Sequence, residues 1–400
     1  MADGTVSRRT ERVLASVQPF LTGMRRFGVP GPNASDFLAG NPQEIASREY
    51  VETLQRWLEP KDKSWFAYSI GHRPAAEAAA KGLSAELGIE FDPDDIFINR
   101  GAHHGLVAAL NVVVDAGDEV IFISPPWFFY EAMILAIGAE PVRVRARQSD
   151  WDLDIDAIAA AITNKTRAVL INTPNNPTGR IYPPETLAAL AKVLEEASER
   201  NGRPIYLISD EAYSRILFED ARMHSPASHY SRSLLIHTYS KSSLAPGQRL
   251  GYVALPPQMP DRELLRIAFL ASGAGTGHIG ADAVMTYALA DIERMLNVDL
   301  PALQRRRDWM VSALEEMGYE LRSPEATFYL MVRSPMEDDL AFADRLAKDE
   351  VYVLPGSAFE MPGYFRISLT ATDGMVERSL SAFAAAAQEQ STLGAAPAPG

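Results

Sequence analysis

The sequence predicts an α/β fold with a mostly parallel central sheet covered by helices on both faces. Two observations carry that expectation. Apolar runs of strand length alternate with longer helical segments. Several runs, such as Ala168–Ile171 (AVLI), are apolar without the every-other-residue alternation of a half-exposed strand. In such sheets ligands bind beyond the carboxyl ends of the strands, and each motif described below follows one of these runs or opens the next helix.

In chain order, Ile96–Asn99 reads as a strand and His103–Val114 as a helix. Glu119–Ile123 and Pro141–Val144 read as strands, Asp154–Ile162 as a helix and Ala168–Ile171 as a strand. Pro184–Glu199 is a long helix with proline at its start, where a missing N–H costs nothing. Tyr206–Ser209 and Leu234–Thr238 are further strands. Residues 1–10 are polar and lie outside the expected core. The stretch 389–400, rich in Ala, Pro and Gly, reads as a disordered tail.

Composition narrows the function. The 400 residues carry no cysteine, which excludes disulfides, thiolate metal sites and cysteine nucleophiles and suits a reducing cytoplasm. The net charge of -14 argues against nucleic acid as a partner. No apolar run approaches the roughly 20 residues that span a bilayer, and the first twenty residues lack the apolar core of a signal peptide. A cytoplasmic enzyme with neither a nucleic-acid nor a membrane partner is expected, and no metal site.

The most informative segment is Thr238-Tyr-Ser-Lys-Ser-Ser-Leu-Ala-Pro-Gly-Gln-Arg-Leu-Gly251. A lysine amine can form a Schiff base with an aldehyde cofactor. Arg249 can return to a phosphate with its planar fork, and the hydroxyls of Thr238 and Ser240 can add hydrogen bonds. An isolated Ser-Lys pair would be an ordinary surface loop. The segment as a whole resembles the cofactor-lysine signature of the class I/II aminotransferases, pyridoxal 5′-phosphate (PLP) enzymes with the aspartate aminotransferase fold. The resemblance implies PLP bound covalently by Lys241.

Five further segments carry the same resemblance. Ser209-Asp-Glu-Ala-Tyr213 supplies Asp210, which the family pairs with the pyridine nitrogen, and Tyr213, which it sets at the ring 3′-oxygen. Asn172-Thr-Pro-Asn-Asn-Pro-Thr-Gly179 supplies Asn176 for the same oxygen and for substrate; by itself the segment is a turn former. Arg100-Gly-Ala-His-His-Gly105 opens a helix, and the free N–H groups of a helix start hold phosphate. Gly101, Ala102 and His103 are the cofactor residues there; His103 could instead face solvent or touch the substrate side chain. Pro125-Pro-Trp-Phe-Phe-Tyr130 supplies Trp127 to stack on the cofactor ring. Tyr364-Phe-Arg-Ile-Ser-Leu369 supplies Arg366, the family's clamp for the substrate α-carboxylate, joined by Gly40 in Leu38-Ala-Gly-Asn-Pro42.

The family completes its active site across a homodimer. Tyr68, in Phe66-Ala-Tyr-Ser-Ile-Gly71, and Thr276, in Ser272-Gly-Ala-Gly-Thr-Gly277, are the candidates for cross-subunit phosphate contacts. The resemblance also implies a large PLP-binding domain over 46–295 and a smaller α+β domain. The smaller domain combines an N-terminal arm, 1–45, with 296–388. The expected reaction moves the α-amino group of an L-amino acid to a 2-oxo acid. Relatives on this scaffold also run elimination, replacement (for example on S-adenosylmethionine) or amino-acid oxidation, and no residue in the sequence separates these from transamination. The resemblance implies that aspartate-specific members supply a second arginine from the segment before the cross-subunit contact; here that segment, Ala268–Gly275, carries no cation, which weakens a strict aspartate preference.

Overall fold

Alternating residues of β5 (Thr166–Asn172) show why the sheet is covered on both sides. Ala168 and Leu170 pack into one apolar cluster and Val169 and Ile171 into another, and all four are fully buried. The structure is a computed structural model that describes residues 4–28, 30–69, 71–276 and 280–394, with side chains described to residue 389.

The described residues form twelve strands: β1 (Ser35–Asp36), β2 (Ile96–Asn99), β3 (Glu119–Ser124), β4 (Glu140–Arg145), β5, β6 (Tyr206–Asp210), β7 (Ser233–Thr238), β8 (Gly251–Ala254), β9 (Tyr329–Arg333), β10 (Val351–Tyr352), β11 (Leu354–Pro355) and β12 (Tyr364–Ser368). Seven make the large sheet, in the order β2-β8-β7-β6-β5-β3-β4. The pairs from β4 through to β7 are parallel, while β8 runs antiparallel to both β7 and β2. This is the mostly parallel α/β sheet that the apolar runs predict. One face is covered by helices Ala102–Val113 and Arg262–Gly275, and the other by Pro184–Asn201, Arg73–Leu87 and Ala283–Ile292.

Register sets the site. Asn172 lies opposite Asp210, Thr238 opposite Gly251, and Gly251 opposite Asn99. The carboxyl ends of β2, β5, β6 and β7 therefore form one edge. Above it sits a small antiparallel sheet, β11-β12-β9, with Arg366 of the central strand paired to Met331 and Leu354. Near it, β1 pairs in parallel with β10, which joins the N-terminal segment to the C-terminal one. Phe37, Met310, Leu330, Phe342, Phe365 and Phe383 share a core there.

Both chain ends are more ordered than their composition suggests. A helix, Arg8–Arg25, begins inside the polar N-terminal stretch. It is tied by Arg12 to Glu140 and by Arg26 to Asp344, and Phe20 stacks on Phe128 at 3.6 Å. The helix Asp373–Gly394 runs into the stretch read as a disordered tail, and only residues 395–400 of that tail lie outside the described residues. Helical propensity of the Ala-rich run, together with docking of Phe383 and Ala386 on the small core, outweighs the polar composition beyond it. Among the described residues no helix is long and apolar enough to cross a membrane.

Glu211, next to the site, is fully enclosed and accepts hydrogen bonds from Ser209 and Ser225 at 2.9 and 2.7 Å. Burial, opposed by these two hydroxyls, pushes its pKa up to about 8. The folded state thus holds a proton that the unfolded chain releases near pH 4.5. Stability from this group is full below that pH and declines as pH rises towards 8. Glu211→Gln, which keeps an acceptor but cannot ionise, should match the parent near pH 4.5. It should exceed the parent by about 2–4 kcal/mol above pH 8 in denaturant melts.

Candidate functional site

The edge formed by the strand ends, the small sheet and the N-terminal helix enclose a cavity of about 260 Å³. Its lining brings together Gly40, Ala102, His103, Trp127, Asn176, Asp210, Tyr213, Thr238, Ser240, Lys241, Arg249 and Arg366. Gly101 borders it: a Cβ there would lie 2.9 Å from Arg249 Nη2, and its φ of +86° suits glycine alone.

Arg249 and the start of helix Ala102–Val113 make one anion seat. Thr238 caps the short helix Tyr239–Ser242, accepting the Ser240 N–H at 3.2 Å. Arg249 Nη1 donates to Ser240 Oγ at 3.2 Å and to the Pro246 carbonyl at 2.7 Å. Gly101 gives the longer helix no side-chain cap, so its first N–H groups stay available. No carboxylate among the described residues pairs with Arg249. Fixed donors, a cation and a helix start without an acid suit a phosphate.

Arg366 makes the second seat. It is 2% exposed and donates to Asn176 Oδ1 at 3.1 Å and the Leu38 carbonyl at 2.9 Å, while its Nε has no partner among the described residues. Its guanidinium lies 3.9 Å from the Tyr329 ring centre and 4.6 Å from that of Phe359. A buried guanidinium with a free Nε and no carboxylate of its own among the described residues is fitted for a carboxylate from outside.

Between the seats lie Asp210 and Lys241. Asp210 ends β6, buried, with Oδ2 accepting the Tyr130 hydroxyl at 2.7 Å and Oδ1 the Ala212 N–H at 3.2 Å. Burial raises its pKa to about 6, against the pull of Tyr130, the Ala212 N–H and Lys241. Lys241 Nζ lies 5.8 Å from the ring centres of both Tyr213 and Phe328. The hydroxyls of Tyr213 and Tyr329 are 3.4 Å apart. Burial resists ionisation of Tyr329, but Arg366 and Lys241 outweigh it and hold its pKa below the usual phenol value. Burial and the neighbouring Tyr329 push Tyr213 the other way. His103 sits at the mouth, edge-on to Trp127 at 5.3 Å. Crowding by its neighbours and the charge of Arg249 lower its pKa.

Tyr68 and Thr276 are elsewhere. Tyr68 is 93% exposed beside a separate hollow lined by Trp65, His72 and Tyr287. Thr276 ends the helix Arg262–Gly275 with its hydroxyl on the Ser272 carbonyl at 2.8 Å. Ile70 and Gly277, within the segments that hold these two residues, lie outside the described residues.

Four contributors carry no local signal. Tyr130 closes the Trp127 segment but shows its role only through Asp210. Asn172 spans its own loop, with Nδ2 on the Asp210 carbonyl at 2.8 Å and Oδ1 accepting the Asn176 N–H at 2.6 Å. Tyr329 comes from β9 and Phe20 from the N-terminal helix, both far from the motifs in sequence.

Gly40 is a steric requirement of this arrangement. A Cβ there would lie 2.0 Å from the Tyr329 hydroxyl and 2.7 Å from a Phe328 ring carbon. Gly40→Ala should therefore displace Tyr329 and with it the Arg366 seat. Steady-state kinetics should give a kcat/KM at least ~10-fold lower, carried mainly by KM. An unchanged KM would show that the Tyr329 side chain yields freely.

The chain matches the family model for aminotransferase class I and II over residues 33–383. It is 29% identical over 358 residues to an aspartate/prephenate aminotransferase of Thermus thermophilus, covering 86% of this chain and 89% of that one. A probable aspartate/prephenate aminotransferase of Aquifex aeolicus is 30% identical over 355 residues, covering 84% and 87%. Among solved structures, an aminotransferase from Eubacterium rectale superposes with a TM-score of 0.88 at 30% identity, covering 96% of this chain and 99% of that one. An aspartate aminotransferase of Thermus thermophilus, a single mutant, superposes at 0.81 with 28% identity, covering 95% and 99%. The family model spans nearly the whole fold and the superpositions share its architecture, so the chain belongs to the class I and II aminotransferases, a family that uses PLP.

Proposed function

We propose that the cavity is the catalytic centre of an aminotransferase acting on L-α-amino acids and 2-oxo acids, with Lys241 as the covalent attachment point of PLP. The observation that carries this reading is the pair of anion seats, neither with a carboxylate partner among the described residues, on either side of one buried acid and one lysine. Arg249, Thr238, Ser240 and the N–H groups beyond Gly101 would hold the phosphate. Asp210 would face the ring nitrogen, Trp127 a ring face, and Asn176 and Tyr213 the ring oxygen.

When bound, PLP supplies an aldehyde that takes up the amino group and a ring that delocalises the electron pair left by the α-proton. The chain does the rest. Arg366 holds the substrate carboxylate by two-point hydrogen bonding and so aims the α-hydrogen. Lys241 Nζ, when free of covalent attachment, would serve as the base that takes the α-proton and as the acid that gives it back. Asp210 is kept as a carboxylate by Tyr130 and the Ala212 N–H, and a cation at the ring nitrogen would draw its pKa down from about 6. Tyr213 offers a hydroxyl that burial keeps protonated and able to donate.

A homodimer completes the reading. The exposed apolar side chains of Phe66, Tyr68, Leu264, Ile267 and Leu270 support it, and Tyr68 and Thr276 would then serve a partner's site.

Three measurements test these assignments. Lys241→Ala should lose the Schiff-base absorption band and at least ~10⁴-fold in turnover; full activity would reject the mechanism. Amino acids added without an oxo acid should convert that band to the pyridoxamine form with one oxo acid released per site. Ammonia or a leaving group over many turnovers would mean elimination or oxidation instead. Sedimentation should report a dimer, and a fully active monomer would reject the shared-site arrangement.

A further inference from the structure

Beyond the two anion seats the cavity has a third region, which the reaction chemistry leaves unused. Its wall is Phe20, Met24, Leu38 and Phe128, bordered by the cofactor-facing Trp127, with His103 and Asn41 at the rim. Phe20 comes from the N-terminal helix and stacks on Phe128 at 3.6 Å and 11°, and Phe128 meets Phe359 at 5.8 Å. The wall is thus a packed aromatic surface joining the N-terminal helix, the segment after β3 and the short helical turn Gly356–Phe359, not a few loose side chains.

Charge bears on the same region. The lining contains three formal cations, Arg249, Arg366 and Lys241, and each has a task in the proposed reaction. Its formal acid is Asp210, which Tyr130 and the Ala212 N–H engage. His103 stays neutral near pH 7, because crowding and Arg249 lower its pKa. Among the described lining residues, a side-chain carboxylate entering here would lose its water and find no cation without a task, and an ammonium or guanidinium would find no free acid. A ring or a branched alkyl group would lose only unfavourable hydration.

Resting on the aminotransferase reading, we infer that this enzyme takes an amino acid with a bulky, uncharged side chain, aromatic or large aliphatic, and that Phe20 with Phe128 forms its selectivity wall. The named relatives in Thermus and Aquifex carry both aspartate and prephenate in their names; the wall of this chain predicts a preference away from aspartate.

The test uses the holoenzyme. Single-turnover kcat/KM is measured for phenylalanine, leucine, methionine, alanine, aspartate, glutamate, lysine and arginine. Phenylalanine or a large aliphatic donor should exceed aspartate and glutamate by at least ~10-fold. A charged amino acid as best donor overturns the inference while leaving the aminotransferase reading intact. Conversion by no amino acid overturns both. Binding gives an independent readout, since 3-phenylpropanoate and succinate each offer a carboxylate without an amine. Calorimetry should show 3-phenylpropanoate bound at least ~10-fold more tightly, and tighter binding of succinate would reject the apolar wall. In Phe20→Ala the ratio of kcat/KM for phenylalanine over alanine should fall ~10-fold, with partial recovery in Phe20→Leu. A ratio unchanged in Phe20→Ala would reject Phe20 as part of the wall.

Discussion

Arg366 is buried without a carboxylate partner among the described residues, and much of the structure exists to hold it there. An isolated ion taken from water costs several kcal/mol unless its donors are satisfied. Asn176 and the Leu38 carbonyl satisfy two of them, and the faces of Tyr329 and Phe359 flank the planar cation. These partners come from the loop after β5, from the N-terminal segment and from the small C-terminal region. The seat therefore forms only when those three parts of the chain have folded together. The same constraint explains why residue 40 has no side chain, since the Tyr329 hydroxyl occupies that space.

A cavity with three cations and one acid in its lining is unusual on a chain of net charge -14. The contrast gives an anionic ligand a local well within a repulsive surround, where low-dielectric walls keep the attraction from being screened. Polar groups beneath the cavity hold its members in place. Glu293 accepts from Tyr239, two residues before Lys241, and pairs with Arg215, two residues after Tyr213. One buried carboxylate thus ties the segment that carries the lysine to the segment that carries the tyrosine. Burial raises the pKa of Glu293, and Arg215 and Tyr239 oppose that rise.

The N-terminal helix changes how the site is described. Arg12 and Arg26 anchor it to Glu140 beside the large sheet and to Asp344 in the C-terminal region. Phe20 and Met24 on its inner face become cavity wall. A segment that composition assigns to a polar arm thus supplies the surface on which the inferred selectivity rests.

The sequence by itself determined the α/β class, because continuous apolar strands can be stable only when both faces are covered. It also pointed to Lys241 and Arg249, whose residue types and spacing suit a Schiff base and a phosphate, and through the family resemblance to Asp210, Asn176 and Arg366. Tertiary structure alone decided what lies around them. Tyr130 reaches Asp210 across 80 positions, and Arg366 reaches Asn176 across 190. Phe20 meets Phe128 by packing of a helix whose polar start gave no hint of it. Such contacts have no local pattern, because strand order and register, not spacing along the chain, decide which side chains meet. The helices near the two ends follow a related rule: a helix that docks on a core is stabilised by that core, and composition does not report docking.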